Sequence, residues 1–131
     1  MRVKALVWIL RPGLNGPQVL LLERPERRAG GEHPVTGKAE PGESPAAAAE
    51  REAFEETGLR GELVDLRYSH RYRGRRGEFD EHAFLLRALP GATPVLSDEH
   101  SGYRWASAAS ARAAIGSHAH ARALDLALKG F

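Results

Sequence analysis

The chain has 131 residues, 42% of them hydrophobic and 27% charged, with a formal net charge of +2 and no cysteine. This length fits one domain over residues 1–131 that can bury a core. The composition excludes disulfides and thiolate metal sites, which fits a cytoplasmic protein. No apolar run reaches the ~18 residues of a membrane-spanning helix, and so small a net charge does not by itself point to nucleic acid.

Val3–Leu10 is apolar and β-branched and reads as a strand. Arg11–Pro17, with two prolines, two glycines and an asparagine, reads as a turn. Gln18–Glu23 is a short continuous apolar run, expected of a strand covered on both faces. Arg24–Gly31 is a charged loop, and Pro34–Gly42 is a glycine- and proline-bearing approach to a helix. That helix is predicted over Pro45–Thr57. Ser44 is its N-cap, Pro45 sits where no N–H is needed, and Gly58 is the left-handed stop.

Glu62–Arg67 reads as a strand, which Tyr68–Tyr72 continues or follows with another. Arg73–Gly77 is a basic hairpin connection, Glu81–Leu89 a strand and Pro90–Gly102 a loop. Alternation in Tyr103–Ala106 predicts a short strand burying Tyr103 and Trp105. Ser107–Ile115 and Ser117–Lys129 favour helices, the second with an apolar stripe of Ala121, Leu124 and Leu128. Alternating strands and helices without a repeat or linker predict one layered α/β domain.

Within the first helix, Glu52, Glu55 and Glu56 fall at i, i+3 and i+4 and share one face. They lie at the negative end of the helix dipole, where acidic residues are disfavoured, and Arg51 alone compensates locally. A hard divalent cation resolves that conflict, because it prefers oxygen ligands.

The run Gly37-x5-Glu43-x7-Arg51-Glu52-Ala53-x-Glu55-Glu56-x-Gly58-Leu59 resembles the signature of the Nudix hydrolases over 23 residues. Ala53 stands where that family usually has a larger aliphatic residue, a departure of packing that Phe54 beside it is placed to fill. The resemblance implies an α/β/α sandwich with a mixed central sheet, and magnesium-dependent cleavage of a diphosphate bond, with manganese as the alternative ion. It implies the Gly37 carbonyl as a ligand beside Glu52, Glu55 and Glu56. It also implies a further acid from a loop, Glu99 or else Glu81. Glu43 and Arg51 read as an oppositely charged pair orienting the loop against the helix.

Arg24, Lys38 and Arg71 are candidates for phosphate contact, and Tyr72 for stacking on a base or pterin ring. His100, His118 and His120 show no metal spacing and read as surface residues. Outside the signature, His70-Arg71-Tyr72, Glu99-His100 and Tyr103-Arg104-Trp105 are similar to segments of the bacterial dihydroneopterin triphosphate pyrophosphatases. The resemblance thus implies a small-molecule phosphoanhydride as substrate. A (deoxy)nucleoside or pterin triphosphate leads, followed by dinucleoside polyphosphates and triphosphorylated RNA 5′ ends. The chain is expected as a monomer or homodimer without a membrane partner. A non-catalytic nucleotide- or RNA-binding module is the reading of a different class.

Overall fold

The computed structural model describes residues 1–131. Its frame is a seven-stranded mixed sheet: β1 (Arg2–Gly13), β2 (Gly16–Glu23), β3 (Glu32–His33), β4 (Val35–Lys38), β5 (Glu62–Gly74), β6 (Gly77–Arg87) and β7 (Gly102–Ser107). The path runs β3-β2-β1-β6-β5, with β4 added on β1 and β7 on β2. β1 is the central strand. It lies parallel to β6 from Arg2 to Leu10, and antiparallel to β4 and β2 in turn along its other edge.

Three helices cover the sheet: α1 (Pro45–Thr57), α2 (Ala108–Ala114) and α3 (His118–Gly130). β1 alternates between them. Ala5, Val7 and Ile9 pack with Ala48, Ala49 and Ala53 of α1. Leu6, Trp8 and Leu10 pack with Ala111 of α2 and with Ala121, Leu124 and Ala127 of α3. This is the expected α/β/α sandwich, and Val19–Leu22 are buried throughout, as a doubly covered strand requires.

α1 has the predicted bounds and caps. Ser44 Oγ accepts from the Ala47 N–H, and Gly58 closes the helix at φ 69°. Elsewhere pairing extends the strands beyond their sequence signals. The first turn shrinks to Leu14–Asn15, because Pro12 and Pro17 pair across a long hairpin. Val35–Lys38, within the expected helix approach, is a strand paired with Lys4–Val7. β5 runs unbroken to Gly74, with an irregularity between Asp65 and Ser69 where Arg67 takes φ 54°.

Two packing expectations fail. Tyr103 is exposed because β7 is an edge strand beyond the reach of α1, while Trp105 is half-buried beneath Arg11. Phe54 fills no volume beside the fully buried Ala53; it points outward and stacks under the Arg60 guanidinium at 3.9 Å.

Candidate active site

β4 places the site. Val35 packs toward α1, so strand alternation turns Gly37 to the same side. The Glu52 side chain lies directly on Gly37, and a Cβ there would overlap the Glu52 carboxyl. Glycine at this position is therefore a matter of space: it lets the strand backbone meet the acidic face of α1.

Arg51 ties this junction together. Its Nε and Nη2 bind Glu43 at 2.8 and 2.9 Å. Its Nη1 reaches Glu52 at 2.7 Å and Glu55 at 3.2 Å, and Nη2 also donates to the Lys38 carbonyl at 2.9 Å. One guanidinium thus joins the loop, β4 and two carboxylates of α1. The bond from Arg51, joined by one from the Glu40 N–H, draws Glu43 down to about 2. Glu43 and Arg51 thus form an ion pair between the loop and the helix.

Glu56 is different. It is 3% exposed, and its Oε2 is buried without a hydrogen-bond partner. Burial first, then the neighbouring Glu52, pushes its carboxyl far above the usual range. His100 Nε2 stands 2.9 Å from Glu56 Oε1. The loop between β6 and β7 delivers this histidine by running along the end of α1, where Val95 and Ser97 N–H groups bond the Thr57 and Glu56 carbonyls. These bonds satisfy carbonyls that a helix end leaves open. The same loop brings Glu99, which is exposed, into a cluster with Glu56 and His100 able to coordinate a metal ion.

A divalent cation fits this junction on two grounds. The buried Glu56 carboxyl, raised by burial and then by Glu52, has an oxygen without a donor beside it, and a glycine keeps the approach to Glu52 open. Glu52 lies on Gly37, and the charges of Glu52, Glu99 and Glu55 all act on Glu56.

The other candidates are distributed more widely. Arg24 is exposed, and its charge reaches both His33 and His100. Lys38 points to the opposite face, above Phe79, and its pKa is lowered first by desolvation and then by Arg76, Arg2 and Lys4. Adjacent on β5, Arg71 and Tyr72 project to opposite faces of the sheet. Tyr72 is no free stacking platform. Its ring already stacks on His70 and Phe79, and its hydroxyl accepts from Lys4 at 3.0 Å. Glu81 also turns away from α1, into contact with His70 and His120.

Sequence reasoning missed several of these residues. His118 is exposed as expected, but His100 is enclosed against Glu56, and His120 binds Glu81. His33, whose ring lies 5.0 Å from that of His100, carried no sequence signal. Nor did Arg2 and Lys4, which join Lys38 through the pairing of β1, β4 and β6, whereas Arg76 belongs to the basic hairpin expected from the sequence.

Residues 1–127 match the family described as the NUDIX domain. The structure is similar to the Ap4A hydrolase of C. elegans in a binary complex, with a TM-score of 0.85 and 22% identity over 100% of both chains. It is similar to the E. coli dihydroneopterin triphosphate pyrophosphohydrolase, with a TM-score of 0.81 and 25% identity over 98% of this chain and 96% of that one. Over 99 residues, 70% of its length, the chain is 42% identical to an octanoyltransferase of Myxococcus xanthus, of which it spans 27%.

Proposed function

The chain belongs to the NUDIX domain family, and from that premise we propose that it hydrolyses a (deoxy)nucleoside or pterin triphosphate to a monophosphate and pyrophosphate. One observation carries this reading: a buried carboxyl with an orphaned oxygen stands beside two more carboxylates over a glycine that leaves room for them. A pure binding module has no need of carboxylates crowded at the negative end of a helix.

In this reading residues 1–131 act as one catalytic domain. Gly37, through its carbonyl, and Glu52, Glu55 and Glu56 hold magnesium or manganese. When bound, the cation neutralises phosphate charge and lowers the pKa of a coordinated water. The chain does the rest by positioning. Arg51 fixes Glu52 and Glu55 against Glu43, and His100 fixes Glu56. Glu99, exposed on the loop, takes the proton of the attacking water. The water oxygen bonds to phosphorus, the bridging P–O bond breaks, and pyrophosphate leaves with that electron pair. Lys38 binds phosphate oxygens, with Arg24 at the other side of the carboxylates.

The likeness to the dihydroneopterin triphosphate enzyme supports a pterin triphosphate within this class. The four cations Arg2, Lys4, Lys38 and Arg76 also favour a second reading, a dinucleoside polyphosphate, whose longer phosphate chain offers them more charge. The chain spans about a quarter of the octanoyltransferase, so acyl transfer is not carried over.

The test is a panel of nucleoside, pterin and dinucleoside substrates and triphosphorylated RNA with magnesium, products identified by mass. Monophosphate and pyrophosphate from a triphosphate support the first reading, and unequal cleavage of a dinucleoside polyphosphate supports the second. Binding without turnover of any member would mean a recognition module instead.

A further inference from the structure

On the sheet face away from α1, three side chains converge that the hydrolytic site does not use. Glu81 of β6 is 1% exposed. Its Oε1 lies 2.8 Å from Nε2 of His70 on β5 and 3.0 Å from Nε2 of His120 on α3. The three ligand atoms all fall within 4.8 Å of one another. Glu81 alternates with Ala83 and Leu85, which pack toward α3, so the sheet separates this group from Gly37 and Glu52. The Trp8 indole N–H donates to the His120 carbonyl at 3.0 Å and fixes the first turn of α3.

We propose that His70, Glu81 and His120 form a binding site for one divalent transition-metal ion of the zinc class, which clamps α3 to the sheet. The donor set fits: two imidazole nitrogens and a carboxylate oxygen suit zinc, with a fourth position left for water. The geometry fits as well. Both imidazoles aim at a single carboxylate oxygen, while the other oxygen has only Lys4 Nζ, at 3.9 Å. Tetrahedral zinc with legs of ~2.1 Å needs ligand atoms about 3.4 Å apart. The two carboxylate–imidazole spacings open by about half an ångström to reach this, and the two imidazoles, whose nitrogens lie within 4.8 Å of one another, come from different elements that can shift toward a common point. Lys4 opposes a cation, but the Tyr72 hydroxyl at 3.0 Å holds its ammonium to one side. Magnesium, which takes oxygen ligands, belongs to the other face.

The experiment uses the full chain carrying Glu52→Gln and Glu56→Gln, so that the α1 carboxylates do not compete. Stripped of metal, it is titrated with Zn2+ by calorimetry and with Co2+ by visible absorption. The expected result is one tight equivalent, a cobalt spectrum of mixed nitrogen and oxygen ligation, and a raised Tm. His70→Ala/His120→Ala in the same background should lose that equivalent. Glu81→Gln, which keeps both imidazoles and the side-chain volume, should weaken it at least ten-fold and serves where the double histidine variant does not fold. No bound metal, or an equivalent that survives both sets of changes, would overturn the proposal and leave the trio a hydrogen-bonded buried carboxylate.

Discussion

Glu56 and Glu55 sit one residue apart yet face opposite conditions. Glu55 is half open to water and shares Arg51, whereas Glu56 is enclosed with only His100 for a partner. Replacing Glu56 by Gln keeps the shape and removes the charge that a cation needs. Steady-state kinetics should show kcat lower by at least ~10²-fold, the scale for losing a key electrostatic group. His100→Ala should cost about 10–100-fold, the usual loss when the partner of a metal ligand is removed, and His100→Gln should restore part of it. A wild-type rate in Glu56→Gln at saturating magnesium would sink the site. The three glutamates were legible in sequence because helical spacing alone puts them together. His100 was not, since its partner lies 44 residues away and only the course of the β6–β7 loop joins them. His33 makes a separate prediction. Burial, then the Arg24 charge, lowers it to about 4 from an ordinary 6.5. A group held neutral in this way favours the fold fully above pH 6.5, and its contribution falls as the pH drops from 6.5 toward 4, where only the unfolded chain takes up the proton. The Tm of the wild type should therefore decline over that window more steeply than that of His33→Gln, and parallel curves would remove His33 as the cause.

Among the elements, α1 carries the chemistry and was the most legible, because its ends are written in local residues. Ser44, Pro45 and Gly58 each act within a turn of their own position. Ser44→Ala removes the oxygen that accepts from the Ala47 N–H and should cost ~1 kcal/mol. Gly58→Ala should cost a similar ~1 kcal/mol or somewhat less, from the left-handed backbone alone, since its new Cβ would meet Val95 at an ordinary 3.6 Å. Chemical denaturation of both variants checks this, and losses well beyond 2 kcal/mol in either would mean that the cap also braces the loop. β4 was illegible for the opposite reason. Its four residues include a glycine and follow a proline, so nothing local marks a strand, and only the ladder to Lys4–Val7 makes one. The long hairpin between β1 and β2 hides in the same way, since Pro12 and Pro17 look like turn residues until the two strands are paired.

At the scale of the molecule, the sheet divides the labour. The carboxylates of α1 and the loop residues Glu99 and His100 gather on one face, while Lys4, Lys38, Tyr72 and Phe79 gather toward the other. The two groups meet at β4, where Gly37 looks one way and Lys38 the next. Sequence order joins Arg71 to Tyr72 as a recognition pair, but strand geometry sends them to different faces, so one substrate group does not bridge them. This arrangement predicts a kinetic split. Groups that hold phosphate away from the reacting atom bind ground state and transition state alike, and their loss raises KM with kcat nearly unchanged. Lys38→Ala should raise KM for the best substrate of the panel about ten-fold, the equivalent of ~1.4 kcal/mol. Tyr72→Phe, which keeps the stacked ring and removes only the hydroxyl that holds Lys4, should raise it by a smaller factor. Glu56→Gln should instead lower kcat. Arg71→Ala reads the remaining face: a KM equal to wild type is expected, because the residue points away from the cations. If KM rises in Arg71→Ala and stays unchanged in Lys38→Ala, the substrate runs along the α1 side, and the cations around Phe79 serve some other anion.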